Sequence, residues 1–289
     1  MAKPNLIDPT HLDQVLVCTD ESPDSQGAVS VALALARTSG CRLYLLEVFE
    51  FLPDYEFPQE TIIPPQLPYD LIAWREETAR GRLELRKAEA AQQGVDLEVR
   101  VRSSSAVYAG ILEEVEELKP SLLVMGRRGR TGLERLLLGS VTARVIGHSP
   151  VSVLVVPREA SLDFSRILVA NDGSPHGVAA WEQALLIAQK LGSTLILASV
   201  CQSDRDLKAA EDIVESLEPV AEREKVALEP FVLEGRPYEA IVRLAQQKQA
   251  TLIILGSHGR TGLGRLLMGS VAERVLGQAP CPVLVVKKR

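Results

Sequence analysis

The chain repeats itself. "GRRGRTGLERLLLGSV" starts at Gly126, and "GSHGRTGLGRLLMGSV" starts at Gly256, 130 positions later. The likeness continues upstream at an offset of 152, where "VLVCTDESPDS" (Val15 to Ser25) matches "ILVANDGSPHG" (Ile167 to Gly177), and "SGCRLYLLEV" matches "LGSTLILASV", ending at Val48 and Val200. A chain made of two copies of one pattern must fold as two like units, which restricts its architecture more than any composition does. Its 289 residues suit two domains. The offsets differ because the first copy carries about 22 extra residues between Val48 and Gly126. The surplus, "EFLPDYEFPQETIIPPQLPYD", is rich in proline and aromatics and has no clean period, so it reads as an inserted loop at about 50–70.

Each copy alternates strands with helices. The second opens on "RILVA", a short apolar run typical of a buried parallel strand. Asp172 and Gly173 make a turn, Ser174 is placed as a helix N-cap, and Pro175 takes the first helical position, where its missing N–H costs nothing. Apolar residues then recur at helical spacing up to Gly192, a C-terminal glycine. Strand "TLILASV", helix "DLKAAEDIVESLEPVAERE", strand "ALEPFVL", helix "PYEAIVRLAQQKQ", strand "TLIILG", the glycine motif, helix "SVAERVLGQ" and strand "PVLVV" complete the unit. Copy one repeats the order, and its "VDLEVRV" alternates as a half-exposed strand should. Such alternation predicts an α/β fold with a mostly parallel sheet covered on both faces. The expected domains are 11–157 and 165–287, joined by the linker "PREASLDFS".

Composition closes off several classes of function. A net charge of −6 argues against a general nucleic-acid binder, which needs a broad positive surface. No apolar run approaches a membrane span, and "MAKPNLIDPTHLD" has no secretory h-region, so a cytoplasmic address is expected. Cys18, Cys41, Cys201 and Cys281 are scattered, without a CxxC pair or zinc spacing, and the three in or beside apolar runs read as reduced, buried residues.

The repeated motif is Gly-x-x-Gly, nine residues, Gly-Ser: Gly126, Gly129, Gly139-Ser140 and Gly256, Gly259, Gly269-Ser270. Glycines directly after a buried strand let the backbone turn and approach a ligand. A Gly-Ser pair opening a helix presents unpaired N–H groups and the positive dipole end, so the two together suit a phosphate. Arg127, Arg128, Arg130 and Arg135 surround the first copy, and Arg260 and Arg265 the second. Tight packing alone is the competing explanation for the glycines, and a solvated face for the arginines. There is no G-x-x-x-x-G-K-[ST], no G-x-G-x-x-G after the first strand and no G-x-S-x-G, which removes P-loop, dinucleotide-binding and hydrolase-elbow alternatives.

The "TDESP"/"NDGSP" turns, the G-x2-G-x9-G-S motif and the closing "PVSVLVV"/"PCPVLVV" strands resemble the universal stress protein family, over nearly the whole chain apart from its first dozen residues and the insert. The resemblance implies two tandem Rossmann-like domains, each a five-stranded parallel sheet of order 3-2-1-4-5. It also implies membership of the ATP-binding branch, which carries the glycine motif. Carried over by position, it gives Asp20 and Asp172 to the ribose, with Thr19 and Asn171 beside them, and Val48 and Val200 to adenine. Met125 and Leu255 would offer backbone beside the triphosphate. Gly126, Gly129, Gly139, Ser140 and Val141, with Gly256, Gly259, Gly269, Ser270 and Val271, would hold the phosphates, and Arg130 and Arg260 would neighbour them. The copies differ: Glu21 stands against Gly173, and Arg127-Arg128 against Ser257-His258, so unequal affinities are expected.

The bound group is expected to be ATP, with ADP or AMP as alternatives, and Mg2+ or Mn2+ riding on the phosphates. No base, nucleophile pair or metal cluster can be assembled from motif residues, so no catalytic residue is named and hydrolysis is expected to be slow at most. Three function classes stay open: a nucleotide-dependent regulator of the stress response, read by an unknown protein partner; a slow ATPase or adenylate-forming enzyme; and a scaffold whose glycines only pack. Apolar edge strands need a cover, and the family resemblance implies an internal pseudo-dimer of the two halves through their last strands, with a homodimer of chains beyond it. Acidic "EEVEEL" (Glu113 to Leu118) reads as the wet face of a helix. His258 is either a phosphate neighbour or a solvated loop residue. Phe51, Tyr55, Phe57, Tyr69 and Trp74 in and after the insert are expected to serve packing or a chain-to-chain contact, with a nucleotide lid or a partner surface as alternatives.

Overall fold

The structure, a computed structural model, describes residues 7–50, 67–129, 138–259 and 268–287. The first half runs β1 (Gln14–Thr19), α1 (Pro23–Ser39), β2 (Arg42–Glu50), α2 (Leu67–Gln92), β3 (Leu97–Ser104), α3 (Val107–Leu118), β4 (Leu122–Gly126), α4 (Ser140–His148) and β5 (Val153–Val156). The second repeats it: β6 (Arg166–Ala170), α5 (Pro175–Leu191), β7 (Thr194–Cys201), α6 (Asp204–Arg223), β8 (Leu228–Glu234), α7 (Pro237–Gln247), β9 (Leu252–Gly256), α8 (Ser270–Gln278) and β10 (Val283–Val286). One ten-stranded sheet orders them β3-β2-β1-β4-β5-β10-β9-β6-β7-β8, so each half has the order 3-2-1-4-5 expected of it.

Local chemistry accounts for the helix ends. Ser22 and Ser174 accept hydrogen bonds from Ser25 N and Gly177 N, a proline follows each, and Gly40 and Gly192 close α1 and α5 in the left-handed region at φ 69° and 70°. The two apolar layers, one on each face of the sheet, both run through the two halves.

The halves meet at β5 and β10, which pair antiparallel with Val153 opposite Val285, Leu154 opposite Leu284 and Val155 opposite Val283. All eight residues of the two strands are buried, and each edge is thereby covered by the other. Around this seam each half lends a cation to the C-terminal end of a helix in the other. Arg127 Nη2 donates to Ala279 O at the end of α8, and Lys287 Nζ donates to Ile146 O in α4, where helix carbonyls lack intrahelical partners and the dipole is negative. Gln183 of α5, fully buried, closes a two-way bond with the backbone of Ile7: Ile7 N donates to its Oε1 at 2.7 Å, and its Nε2 donates to Ile7 O at 2.6 Å.

Two expectations are corrected. The insert does not read as loop to its end: α2 begins at Leu67, with Pro68 in the first turn, where proline is tolerated, and 51–66 with Phe51, Tyr55 and Phe57 lie outside the described residues. The acidic run on α3 is not all wet. Glu114 falls on the buried stripe with Gly110, Ile111 and Val115, is 2% exposed, and accepts from Arg102 Nε at 3.0 Å and Arg102 Nη2 at 2.7 Å. Burial works against the charge of Arg102, but hydrogen bonds to Glu117 and Glu114 outweigh it and hold its pKa above the ordinary arginine value.

Candidate functional site

A cleft of 670 Å³ opens at the carboxyl ends of β1, β2 and β4, the edge where open α/β sheets take ligands. Thr19, Asp20, Val48, Met125, Gly126, Gly129, Gly139, Ser140 and Val141 all line it. Residues expected to form the first site, from four separate elements, thus share one cavity. Arg130 and Arg135 lie outside the described residues, as do Arg260 and Arg265.

The aspartate turn is built by its own side chains. Asp20 Oδ1 accepts from Ser22 N at 3.0 Å, and Thr19 Oγ1 accepts from Glu21 N at 3.1 Å. Glu21 is held at φ 61°, a left-handed conformation that its counterpart Gly173 adopts at φ 78° without a Cβ to strain. Asp20 Oδ2 turns to the glycine loop: a Cβ on Gly129 would lie 2.6 Å from it. Ser22 Oγ donates to Arg128 O at 3.4 Å, a second tie between turn and loop. At Gly126 a Cβ would stand 2.7 Å from the Asp24 carbonyl carbon and 2.8 Å from Ser25 N, so glycine is required by backbone against backbone. The loop closes where Gly139 N donates to Arg127 O at 3.0 Å, and Gly139 then serves as N-cap of α4 with no side-chain cap of its own, leaving the helix start facing the cleft.

The positive charge is divided between two tasks. Arg128 lines the cleft, and its buried Nε has no hydrogen-bond partner among the described residues. Arg127 goes the other way, across the seam to Ala279; burial, and then the neighbouring Arg128, lower its pKa. Burial, then Glu114 and Asp20, push the Cys18 thiol up, so this cleft residue stays protonated.

Sequence reasoning missed the far wall. Glu47 of β2 is buried in the cleft, and Arg82 of α2 donates to its Oε1 at 2.7 Å and its Oε2 at 3.0 Å through one Nη2. A lone acid in "LYLLEVF" was the available signal. Trp74, Arg75 and Thr78 of α2 stand on the same wall.

The second half keeps the frame of turn and glycine loop but differs in the residues around it. Asp172 Oδ1 accepts from Ser174 N at 3.0 Å, Asn171 Oδ1 accepts from Gly173 N at 2.8 Å, and a Cβ on Gly259 would lie 2.8 Å from Asp172 Oδ2. Gly269 N closes the loop on Ser257 O at 3.0 Å, and Ser270 and Val271 open α8 as Ser140 and Val141 open α4. Leu255 and Gly256 end β9, and Val200 lies near the end of β7. His258 is not simply a solvated loop residue: half-buried, its ring is 5.0 Å from that of His176, and Ser257 Oγ lies 3.0 Å from His258 Nδ1 and 3.3 Å from His176 Nδ1. Where the first half has Glu47 and Arg82, the second has Ser199 and Ile213, and Ile213 Cδ1 lies 3.1 Å from where a Cβ on Gly173 would stand.

Comparison with known proteins agrees with this frame. The model of the universal stress protein family matches twice, at residues 11–157 and 163–287. A universal stress protein of Mycolicibacterium smegmatis is 29% identical over 298 residues, covering 95% of this chain and 97% of its own length. One from Methanocaldococcus jannaschii is 33% identical over 141 residues, covering 43% of this chain and 83% of its own. The solved structure of a universal stress protein from Archaeoglobus fulgidus superposes with a TM-score of 0.73 at 25% identity, covering 96% of this chain and 98% of that one. The chain belongs to the universal stress protein family, with two of its domains in tandem.

Proposed function

We propose that the chain is an adenine-nucleotide-binding regulator, with ATP as the first choice of ligand and a site in each half. The observation that carries this is the convergence of the Asp20 turn and the glycine loop on one cleft. Its 670 Å³ lies within the range of small-molecule pockets. The parts fit the group. A carboxylate accepts from ribose hydroxyls, a β2 wall with Val48 takes an apolar base, and bare glycine backbone, the α4 N-terminus and Arg128 suit phosphate oxygens. Among the described residues no three His, Cys, Asp or Glu side chains are grouped to hold a metal. In this reading Mg2+ or Mn2+ is therefore carried on the phosphates.

Bound nucleotide alters the surface around the cleft, and a partner protein distinguishes the two populations. Domain limits of 11–157 and 165–287 belong to the same reading, as does a homodimer of chains. With β5 and β10 already paired to each other, such a dimer uses another surface. Among the described residues no helix is long and apolar enough to cross a membrane.

The test is to purify the chain without added nucleotide, denature it, and identify and count the released small molecules. About two ATP per chain supports two working sites. One per chain points to divergence of the halves, and mostly ADP points to slow hydrolysis. An empty protein that also fails to bind added ATP removes the reading and leaves a scaffold.

A further inference from the structure

We propose that Trp74 is the base-stacking residue of the first-half site, covering the flat face of an aromatic nucleobase whose phosphates lie on the glycine loop. This rests on the nucleotide reading and adds a specificity element found in one half only.

The sheet order sets the direction. β2, β1 and β4 are consecutive neighbours, so the cleft runs from the end of β2, past Asp20 after β1, to the glycine loop after β4. Two strand spacings make about 10 Å, the reach of an extended nucleoside phosphate. With phosphates at the β4 end and ribose at Asp20, the base falls at the β2 end, among Val48, Phe49 and Trp74.

Trp74 is 61% exposed, whereas the other tryptophan, Trp181, is 3% exposed in the core. An indole is a large apolar surface to leave in water, and one on a cleft wall is placed to bury itself on a ligand. Its position is held. Trp74, Thr78 and Arg82 fall at i, i+4 and i+8 on one face of α2 and all line the cleft. The Arg82 bond to Glu47 fastens that face to β2, next to Val48.

The device is absent from the second half. The buried residues Ala79, Leu83 and Ala90 of α2 correspond to Ala210, Val214 and Ala221 of α6. On that register Trp74 matches Arg205. Helix α2 has 26 residues against 20 in α6, so the insert lengthens the helix at the end that bears Trp74.

The test uses the intact chain and its tryptophan fluorescence, excited at the red edge of the absorption band where the five tyrosines do not absorb, so that the signal comes from the two tryptophans. ATP and inorganic tripolyphosphate, which has no base, are titrated into wild type, Trp74→Phe and Trp74→Leu, with binding measured independently by calorimetry. The expected result is saturable quenching by ATP and not by tripolyphosphate, lost in both variants. Calorimetry should show one class of ATP sites weakened about tenfold in Trp74→Leu, largely preserved in Trp74→Phe, with tripolyphosphate affinity unchanged. If ATP binds wild type and Trp74→Leu equally and leaves the fluorescence unmoved, the assignment of Trp74 is overturned while the nucleotide reading stands. If wild type binds no ATP at all, both are overturned.

Discussion

Asp20 and Gly129 are fitted to each other: a Cβ on Gly129 would lie 2.6 Å from Asp20 Oδ2, and the corresponding distance from Gly259 to Asp172 Oδ2 is 2.8 Å. The contact joins the turn after the first strand of each half to the loop after its fourth, and it separates two kinds of glycine substitution. Gly129→Ala displaces the end of a side chain, so the fold tolerates it while the carboxylate moves from the position in which the proposed function has it meet a ribose. ATP affinity at the first site should fall roughly tenfold, in line with losing a hydrogen bond to a charged group, with little change in melting temperature. Gly126→Ala instead meets the backbone of Asp24 and Ser25 at 2.7–2.9 Å, and should cost about 1–3 kcal/mol of stability as overpacking. Calorimetric unfolding with parallel ATP titrations separates the two. Equal losses of stability would contradict this division.

The arginines beside the first loop should differ in the same way. Arg127 is engaged with Ala279 across the seam, while Arg128 lines the cleft. Arg127→Met should lower stability and leave ATP affinity unchanged; Arg128→Met should weaken ATP binding with stability nearly intact. The reverse pattern in binding isotherms and melting curves would show that Arg127 serves the phosphates.

The repeat supplies a natural comparison for the buried ion pair. Arg102 and Glu114 correspond to Leu233 and Leu244, so the other half fills the same place with apolar groups. Arg102→Leu alone leaves the Glu114 carboxylate buried without its main partner and should cost about 3 kcal/mol, the low end of the range for breaking such a pair, since Arg100 Nε remains 3.7 Å from Oε1. Arg102→Leu/Glu114→Leu should recover most of that loss. Denaturant unfolding of the three proteins measures it, and a double variant less stable than the single one would refute it.

Lys287 gives a pH signature. Burial lowers its pKa from 10.5 to about 8, so between those values the unfolded chain binds more protons than the folded one. Stability contributed at this position therefore rises with pH across the interval from about 8 to 10.5, and is flat below it. Unfolding free energies of wild type and Lys287→Met, compared from pH 7 to pH 10 (roughly the span of that titration), should diverge in favour of wild type as pH rises. Parallel curves would show that the ammonium is hydrated in the folded state.

Much of this molecule is legible in its sequence because the relevant signals are local. The repeat, the strand–helix order, the caps at Ser174 and Gly192, and the glycine spacing each reside within a few residues, where backbone sterics and short-range hydrogen bonds decide the outcome. The tertiary structure alone decided what depends on helix rotation and strand register. It put Glu114 on the inner stripe of α3 rather than in water, sent Arg127 over the seam while Arg128 kept to the cleft, and set Arg82 against Glu47 with Trp74 two turns before it. A long charged or aromatic side chain can reach partners in several directions. Which one it takes is set by elements dozens of residues away, whose relative placement only the packed sheet defines.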